Sequence, residues 1–428
     1  MHIIILLSLI LSFSLSANIQ LIKKENSDSN LTLLVIGGIH GNEPGGYFAA
    51  SILAEHYQIH SKNLWIIPNL NQESIIRNKR GIHGDMNRKF AVVKKNDKDR
   101  DTVVDVKKII LAPKVSLVLN LHDGHGFYRK KYKGTVFNPN AWGQTCVIDQ
   151  CNLKQNQPFG NLNTIALTVR DNINKKLLQE HHTFDVKNTN TKYDDEAMQL
   201  SLTYFAVTNN KPAFAIETSK NLSNLRQKVF YQLLAIEEYM KIMDIKFTKD
   251  FQLTEEDIQK LLKEYGTLEI NGNISLDLTN IKKHLSYIPI KSKDNLFNFS
   301  HPLGKVRKVK SSYGVYIGNK RITTLKPQYF KMSRNCQEKL TFEVDGEEIS
   351  LPKASNFSVT ADFKVRKVDN QRVNIIGYHS KGVSDESEIT ISLSNLNKKY
   401  SIDKAHKRYR IEFYNGDEFC SMSVVHFK

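Results

Sequence analysis

The chain has 428 residues, with 61 Lys and Arg against 44 Asp and Glu, a formal net charge of +17 and four cysteines. Because single hydrophobic cores stop growing near ~250–300 residues, this length predicts two or three domains. The charge is compatible with a nucleic acid, an acidic membrane surface or an anionic polymer as partner. The basic residues are scattered along the chain, which argues against a stripe that binds nucleic acid.

The N-terminus begins with an apolar stretch at 3–16, and Ser16 and Ala17 are the small residues at its end. This pattern is typical of a secretory signal peptide, which we place at 1–17. Only His2 precedes the stretch, so an uncleaved membrane anchor is the alternative, and no other stretch is long enough to span a membrane. We therefore expect a periplasmic protein, and an exported protein rarely meets nucleic acid.

From 18 to 246, buried apolar runs alternate with helix-like segments, which is α/β usage. The runs with the length of buried strands lie at 31–38, 64–67, 115–121 and 212–216. The helix-like segments include 102–111 and 222–243, and another is predicted to begin at Pro44. We expect 222–243 to close this first domain.

Four polar side chains stand where these predicted strands end or the helix begins. His40 follows the first run, Glu43 directly precedes Pro44, His122 follows the third run and Glu217 ends the fourth. Ligands in open α/β sheets lie beyond the carboxyl ends of strands, so we expect these residues to meet in one crevice. A catalytic zinc takes three protein ligands and leaves the fourth position for water. We predict one Zn²⁺ ion held by His40, Glu43 and His122.

The composition changes after Asp250, where short segments separated by polar residues replace the long apolar runs. We read 251–334 as a small β-barrel-like module that starts with a short helix. From 338 to 428, short strand-like segments alternate with polar turns more regularly than in 251–334, which predicts an immunoglobulin-like β-sandwich. Its predicted strands are 340–344, 357–365, 373–378, 388–393 and 409–413. Neither module carries a catalytic motif, so each has a structural role or docks on the cell wall or on a protein.

In chain order the motifs are His40-x-x-Glu43, Arg80, Asn87-Arg88, His122 and Glu217. This ordered set resembles the M14 zinc carboxypeptidase family, and the resemblance implies a mixed-sheet peptidase domain. The layout, with a peptidase region, a middle module and a β-rich end, resembles the cell-shape-determining peptidoglycan DL-carboxypeptidases of curved and helical bacteria. That closer resemblance implies peptidoglycan muramyl peptides as substrates.

The resemblance also implies the roles of the other motif residues. Glu217 is the expected general base, within hydrogen-bond reach of the attacking water. Asn87 and Arg88 are expected to bind the substrate's free carboxylate, which a planar guanidinium holds with two hydrogen bonds. Arg80 is expected to hold the oxyanion, and Arg77 is its rival for that role.

Further candidates for substrate contact lie in the loops and segments near these motifs. The basic run that begins at Arg129 is either a solvated loop or a rim that attracts acidic peptides, and Trp142 forms either a pocket wall or ordinary packing. Family members carry a Tyr about two dozen residues before the catalytic Glu. Tyr193 lies in that window and Tyr204 is close to it, and Thr203 is the alternative, as a polar contact from the same segment.

Neighbours of the motifs have simpler interpretations. We expect His83 and His125 to be loop histidines and Asp85 to brace the Asn-Arg turn. Asp123 is expected to hydrogen-bond a ligand histidine, a common arrangement around zinc. The cysteines allow two pairings in an oxidising compartment, Cys146 with Cys151 and Cys336 with Cys420, and the sequence fixes neither.

We predict from these features a zinc metallocarboxypeptidase that removes the terminal meso-diaminopimelate from muramyl tripeptide and thereby influences cell shape. One alternative is a zinc deacylase of the succinylglutamate desuccinylase or aspartoacylase type, which shares the metal-binding pattern. The signal segment and the appended β modules argue against it. The other alternative, a non-catalytic cell-wall scaffold, requires a broken ligand or base, and the sequence breaks none.

Overall fold

The computed structural model describes residues 19–26, 29–155 and 157–428. They form two compact units, one that ends at Lys263 and one that runs from Glu264 to Lys428. The predicted signal segment 1–17 lies outside the described residues. Among the described helices, none combines the length and the apolar character needed to cross a membrane.

The first unit has the α/β composition that the sequence predicts. Its strands are β1 (Ile22–Lys24), β2 (Thr32–Ile36), β3 (Tyr57–Ile59), β4 (Asn63–Ile67), β5 (Val115–Gly124), β6 (Phe127–Tyr128), β7 (Phe137–Asn138), β8 (Thr145–Ile148), β9 (Asp185–Asn188), β10 (Ala213–Ser219) and β11 (Phe247–Lys249). Its α-helices are α1 (Pro44–His56), α2 (Gln72–Ile76), α3 (Arg100–Leu111), α4 (Leu162–Ile173), α5 (Thr191–Asp194), α6 (Leu202–Thr208), α7 (Leu225–Ile242) and α8 (Glu255–Leu261). Short 3₁₀ helices cover Met86–Arg88, Glu180–His182 and Met198–Leu200.

A mixed seven-stranded sheet is the centre of this unit, with strand order β1-β4-β2-β5-β10-β8-β9. Strands β4, β2, β5 and β10 are parallel to their neighbours in this series, so their carboxyl ends meet at one edge. Strand β8 is antiparallel to β10, which makes the sheet mixed. Strands β2 and β4 are buried at every position and therefore read as continuous apolar runs.

Helices α1 and α7 pack against each other and against β5 on one face of the sheet. Helix α7 is buried over most of its length, including Leu233 and Tyr239 at 0% exposure, so it belongs to the core rather than to a solvated surface. Gln232 on α7 donates to the backbone oxygen of His122 at 2.7 Å. The helix that closes the first domain therefore also fixes the strand that carries a predicted ligand.

The second unit is built from strands, as predicted for the C-terminal part. Its strands are β12 (Thr267–Ile270), β13 (Ile274–Asp277), β14 (His284–Ile290), β15 (Phe297–Phe299), β16 (Gly304–Val309), β17 (Ser312–Ile317), β18 (Lys320–Tyr329), β19 (Lys339–Val344), β20 (Glu347–Pro352), β21 (Asn356–Val359), β22 (Asp362–Val365), β23 (Arg372–Ile375), β24 (Ile391–Ser392), β25 (Arg408–Asn415) and β26 (Glu418–Phe427). Short 3₁₀ helices cover Leu393–Asn395 and Lys398–Tyr400. The largest sheet has the order β15-β12-β13-β26-β25-β23, with β21 also paired to β26. Two four-stranded sheets, β14-β18-β17-β16 and β20-β19-β22-β24, complete the unit.

The largest sheet takes strands from both of the β modules that the sequence predicts. Strand β26 pairs with β13 of the segment 251–334 and with β25 of the segment 338–428. The predicted short helix, α8, lies in the first compact unit rather than in the second. The predicted strand 357–365 is two strands, β21 and β22, in different sheets.

The cysteines adopt one of the two pairings that the sequence leaves open. Cys336 and Cys420 form a disulfide bond, with their Cα atoms 5.6 Å apart. Cys146 and Cys151 are free, so no disulfide closes the loop between them. Cys146 is buried at the centre of β8, where burial raises the pKa of its thiol to about 12, and it behaves as a small apolar core residue.

Candidate active site

The three predicted metal ligands converge at the carboxyl edge of the central sheet. His40, Glu43 and His122 are buried, and one ligand atom from each lies within 4.8 Å of the other two. The Nδ1 atoms of both histidines face Glu43 Oε2, at 3.0 Å from His40 and 2.8 Å from His122. Two imidazoles and one carboxylate around a common point are a donor set that suits a catalytic metal with an open fourth position.

The local sequence explains why these side chains meet. Strand β2 ends before His40. Glu43 is the N-cap residue of α1, and Pro44 is the first residue of that helix. Gly46 lies against Leu121, and a Cβ atom there would stand 2.8 Å from the Leu121 Cβ. Only glycine permits this approach, which brings the start of α1 to the strand that carries His122.

A second carboxylate orients the first histidine. Asp85 Oδ1 lies 2.8 Å from His40 Nε2, the ring nitrogen that faces away from Glu43. The same oxygen accepts from the backbone N–H of Asn87 at 2.9 Å, so Asp85 braces the Asn-Arg turn as predicted and also holds a ligand. Burial alone would raise the pKa of the Asp85 carboxyl, but its hydrogen bond to His40 and the charge of Arg80 hold this pKa well below its usual range.

The prediction that Asp123 hydrogen-bonds a ligand histidine is wrong. Its carboxylate accepts from the backbone N–H of Gly45 at 2.9 Å and from the Thr218 hydroxyl at 2.5 Å. Burial raises the pKa of Asp123 to about 6. Asp123 therefore anchors the first turn of α1 to β10. The residue that hydrogen-bonds a ligand histidine is Asp85, not Asp123.

Two cations contact the remaining oxygen of the metal-site carboxylate. Arg80 Nη1 lies 3.2 Å and Lys220 Nζ lies 3.3 Å from Glu43 Oε1. Arg80 also donates from Nε to Asp85 Oδ2 at 2.9 Å. Burial would raise the pKa of Glu43, but His40 and the hydrogen bond from His122 keep this pKa well below its ordinary value, so the carboxylate is charged. Arg77, the rival of Arg80, pairs instead with Glu73 at 3.8 Å.

Glu217 stands beside His122 on the neighbouring parallel strand. The two residues are register partners between β10 and β5, which places their side chains on the same face one strand apart. Burial, followed by the negative charges of Glu43 and Asp123, raises the pKa of Glu217 well above its ordinary value. A carboxyl group with that tendency to hold a proton is suited to general acid–base work.

A cavity of about 230 Å³ opens beside these groups and collects most of the predicted contact residues. Its lining includes the catalytic candidates His40, Glu43, Arg80, His122 and Glu217 and the substrate candidates Asn87, Arg88, Trp142 and Thr203. The side-chain oxygen of Asn87 accepts from the backbone N–H of Leu202 at 3.0 Å, which leaves its amide nitrogen to donate. His125, expected to be an ordinary loop histidine, lies at the exposed rim of the cavity.

Two predicted contact residues lie outside the cavity lining. The Arg129 guanidinium donates to the backbone oxygens of His181 and Thr183, at 2.6 and 3.2 Å, so it joins two loops. Tyr193 lies on α5 with 73% of its surface exposed. Of the three candidates Tyr193, Tyr204 and Thr203, Thr203 is the one that lines the cavity.

Comparison with known proteins agrees with this geometry. A family model described as the catalytic part of a carboxypeptidase controlling helical cell shape matches residues 1–263. The chain belongs to this family. A second model, described as the C-terminal domain of metallo-carboxypeptidase, matches residues 333–428 of the enzyme.

Solved structures of one protein resemble the enzyme over almost its full length. The apo form of the cell shape determinant protein Csd4 from Helicobacter pylori is 32% identical, with a TM-score of 0.90 over 96% of this chain and 100% of that chain. Its tripeptide-bound form is 33% identical, with the same TM-score and coverage. Its mDAP-bound form, described as a D,L-carboxypeptidase, is 33% identical, with a TM-score of 0.89 over 95% of this chain and 100% of that chain. No match is found among curated proteins.

The enzyme is therefore a metallo-carboxypeptidase, as predicted, and its site contains residues that the sequence reading missed. Lys220 follows β10 and approaches Glu43 from 177 positions away. Asn120 on β5, Val147 on β8 and Met198 also line the cavity. Asn120 carried a signal that could have found it, because a polar residue interrupts the buried run Val115–Leu121 two positions before His122.

Proposed function

We propose that this enzyme is a zinc-dependent DL-carboxypeptidase that removes the terminal meso-diaminopimelate from muramyl tripeptide, leaving the dipeptide, and so influences cell shape. The observation that carries the proposal is the convergence of a three-donor metal set, the half-buried Glu217 carboxyl group and an Asn-Arg pair in one cavity. The structures of the similar Helicobacter pylori protein with tripeptide, with product and with mDAP support the choice of substrate.

Zinc is the metal that we propose for the site. His40, Glu43 and His122 fit it because two imidazoles and one carboxylate are a usual catalytic zinc donor set. When bound, zinc polarises the scissile carbonyl and lowers the pKa of water to ~7, so that a nucleophile is available at neutral pH. Glu43 would be deprotonated already, and Asp85 would hold His40 with Nδ1 facing the ion.

The chain's own residues perform the remaining steps. Arg88, with the free amide nitrogen of Asn87, binds the terminal carboxylate of the substrate and thereby selects the last peptide bond. Arg80 reaches the site from the other side of Glu43 and stabilises the oxyanion of the tetrahedral intermediate. A Glu217 oxygen takes a proton from the attacking water and passes it to the leaving amine of the released diaminopimelate.

We propose a periplasmic location for the enzyme. Two features of the chain support it. The apolar stretch at 3–16 has the composition of a signal segment, and the Cys336–Cys420 disulfide suits an oxidising compartment.

The test is product analysis by mass spectrometry with muramyl tripeptide, tetrapeptide and pentapeptide, using zinc-loaded and chelator-treated enzyme. We expect diaminopimelate from the tripeptide only, no product after chelation, and a loss of roughly 10²–10⁴-fold for Glu217→Gln. Glu256→Gln, an exposed carboxylate on α8, is the matched control and should leave the rate unchanged.

The same mass-spectrometric assay, run in addition with N-acylated amino acids as substrates, separates the competing functions. Release of an acyl group from N-acylated amino acids, with no muropeptide product, would favour a deacylase. Zinc binding without any turnover would favour a wall-binding scaffold.

We further propose that the second unit docks the enzyme on peptidoglycan. Residues 295–337 contain nine Lys and Arg and no Asp or Glu, and the sheet β14-β18-β17-β16 falls largely within them. Lys305, Tyr316 and Arg321 are register partners across three strands, and Arg307 lies two positions along from Lys305. One sheet face therefore carries three cations, and stem peptides carry the carboxylates that complement them.

Co-sedimentation with purified sacculi tests this docking. Lys305→Glu with Arg307→Glu should weaken binding, and binding by the unchanged enzyme should fall as salt rises, because exposed charges are screened. The control, Lys398→Glu with Lys399→Glu, makes the same charge change on exposed lysines elsewhere in the unit. Both pairs should cleave soluble tripeptide normally. Equal loss of binding in both pairs would assign the effect to net charge and reject this sheet face as the docking surface.

A further inference from the structure

The second unit contains a cavity of about 210 Å³ that is formed by separate segments of the chain. They are the turn between β12 and β13, Lys291 after β14, residues 332–338, Lys353 after β20, and Cys420 on β26. Cavities that hold a whole small molecule measure roughly 300–1,000 Å³. This cavity is therefore suited to the end of a larger ligand rather than to a complete molecule.

Covalent and hydrogen bonds fix the walls of this cavity. The Cys336–Cys420 disulfide ties residues 332–338 to β26, and the backbone N–H of Ser333 donates to a backbone oxygen of the same strand at 3.0 Å. The side chain of Asn295 accepts from the backbone N–H of Lys291 at 3.0 Å and donates to its backbone oxygen at 2.7 Å. The segments that carry the lining side chains are therefore held in place before any ligand binds.

Two of the cations in the lining have no carboxylate opposite them. Lys353 pairs with Glu338 at 2.6 Å, and both residues line the cavity. Lys291 and Arg334 form no ion pair within the described part of the chain. The lining therefore carries a net positive charge, which favours an anionic group as the occupant.

A buried amide oxygen in the same lining lacks a partner. Asn273 is 8% exposed, and its amide nitrogen donates to the backbone oxygen of Cys420 at 3.2 Å. Its Oδ1 atom has no hydrogen-bond partner among the residues that the structure describes. Asn271 in the same turn is satisfied, because it donates to Asn295 and accepts from the backbone N–H of Leu296. An unsatisfied buried acceptor is destabilising, so the one at Asn273 indicates a ligand that brings a donor.

The occupant must therefore carry an anion and, next to it, a hydrogen-bond donor. The last residue of a peptide has both, because its free carboxylate and its amide N–H are attached to the same Cα atom. A guanidinium holds a carboxylate with two hydrogen bonds, and an ammonium adds a third. A fully ionised phosphate or sulfate would satisfy the cations but would leave Asn273 Oδ1 without a donor.

We propose that this cavity binds the C-terminal residue of a peptide, with Arg334 and Lys291 holding the carboxylate and Asn273 Oδ1 accepting from the amide N–H. Capture of a terminal carboxylate is a recurring mode of peptide recognition. The site lies in the second unit and takes no part in bond cleavage, so this inference goes beyond the proposed function and does not depend on it. A sugar acid with an acetamido group offers the same pair of groups, and the test includes one.

The test measures binding by calorimetry to full-length, zinc-loaded Arg88→Ala, because Arg88 gives the active site its own affinity for carboxylates. One probe, N-acetylglycine, has the carboxylate and the neighbouring N–H. N-acetylglycinamide lacks the carboxylate, and O-acetylglycolate has an oxygen in place of the N–H. We expect N-acetylglycine to bind with a Kd of roughly 1 mM and each of the other two to bind about tenfold more weakly.

Variants on the same background assign the contacts. Arg334→Gln should weaken the binding of N-acetylglycine about tenfold. Lys399→Gln, which removes the same charge from an exposed lysine elsewhere in the second unit, should leave the binding unchanged. Asn273→Leu should abolish the difference between N-acetylglycine and O-acetylglycolate, which a purely structural role of Asn273 would not do. Because Arg334 is exposed, Arg334→Gln should keep the unchanged Tm and decides the result even if Asn273→Leu fails to fold.

The outcomes separate this site from the reaction. With Arg88 intact, Arg334→Gln should cleave tripeptide at the unchanged rate, and the binding comparison stands even if no muropeptide is cleaved. Equal binding of N-acetylglycine and N-acetylglycinamide, or equal losses in Arg334→Gln and Lys399→Gln, would overturn the inference. Tighter binding of N-acetylmuramic acid than of N-acetylglycine would assign the cavity to a sugar acid and reject the peptide terminus.

Discussion

The contact between Asp85 and His40 gives the sharpest test of how the metal site is held. Asp85 makes three hydrogen bonds, to His40 Nε2 at 2.8 Å, to the backbone N–H of Asn87 at 2.9 Å and to Arg80 Nε at 2.9 Å. Asp85→Asn conserves the shape of the side chain and removes its charge. The amide keeps one acceptor, and its NH₂ group must then face either His40 or Arg80, each of which donates.

The expected magnitude follows from the role of such carboxylates. A partner that orients a ligand histidine is typically worth 10–100-fold in metal affinity, which is about 1.4–2.7 kcal/mol. The low pKa of Asp85 means that its carboxylate is ionised across the neutral range, so the loss in Asp85→Asn should not depend on pH between about 6 and 8. A fall in kcat should accompany it at limiting zinc and diminish when zinc is in excess.

Zinc affinity is measured by competition with a chromophoric chelator on the full-length protein. Asp97→Asn is the control, because Asp97 also pairs with a cation, Lys89 at 2.8 Å, and lies outside the cavity lining. The control should bind zinc as tightly as the unchanged enzyme. Zinc affinity within about twofold of the unchanged enzyme in Asp85→Asn would refute the argument that this hydrogen bond organises the ligand, since the expected loss is at least tenfold.

Three further predictions concern stability and packing. Burial raises the pKa of Asp149 from the ordinary 3.8 to about 6. The protonated carboxyl therefore contributes stability that is fully present below pH 3.8, and up to about 3 kcal/mol of the free energy of unfolding is lost as the pH rises from 3.8 through 6. Chemical unfolding should therefore show Asp149→Asn to be more stable than the unchanged protein at pH 8, with the difference vanishing near pH 4. Cys336→Ser paired with Cys420→Ser opens a link across 84 residues and should destabilise the second unit by about 4–5 kcal/mol in the loop-entropy view, seen by calorimetry as one lowered transition with tripeptide cleavage retained. Gly46→Ala forces a methyl group against Leu121 and should weaken zinc binding and lower Tm together, and an unchanged zinc affinity would show that α1 can shift without moving Glu43.

The metal site could be predicted because its geometry follows from one rule about parallel sheets. Strands β2, β5 and β10 are adjacent and parallel, so the residues at their carboxyl ends meet however long the connecting segments are. Burial on both faces makes each strand an apolar run that is visible in the sequence. His40, His122 and Glu217 were therefore found from position alone, and Glu43 from the helix start beside them.

Contacts that depend on loop conformation were not accessible in this way. Asp85 lies 45 positions from His40 and contacts it from the N-cap position of the 3₁₀ turn Met86–Arg88, whereas Asp123, adjacent to a ligand, accepts from the backbone N–H of Gly45. The sequence predicts Asp123 as the partner of a ligand histidine because it is adjacent to His122, but the partner in the structure is Asp85. The Cys336–Cys420 disulfide is likewise one option in the sequence, because nothing in the sequence fixes the pairing of residues 84 positions apart.

The strand that joins the second unit together was also missed. Strand β26 (Glu418–Phe427) is buried at eight of its ten positions and pairs with strands from both predicted modules. Its sequence mixes Ser with apolar residues, so it shows neither the alternation of a half-exposed strand nor a continuous apolar run. Its small serine side chains fit in the interior, so a buried strand here has no pattern by which the sequence could predict it.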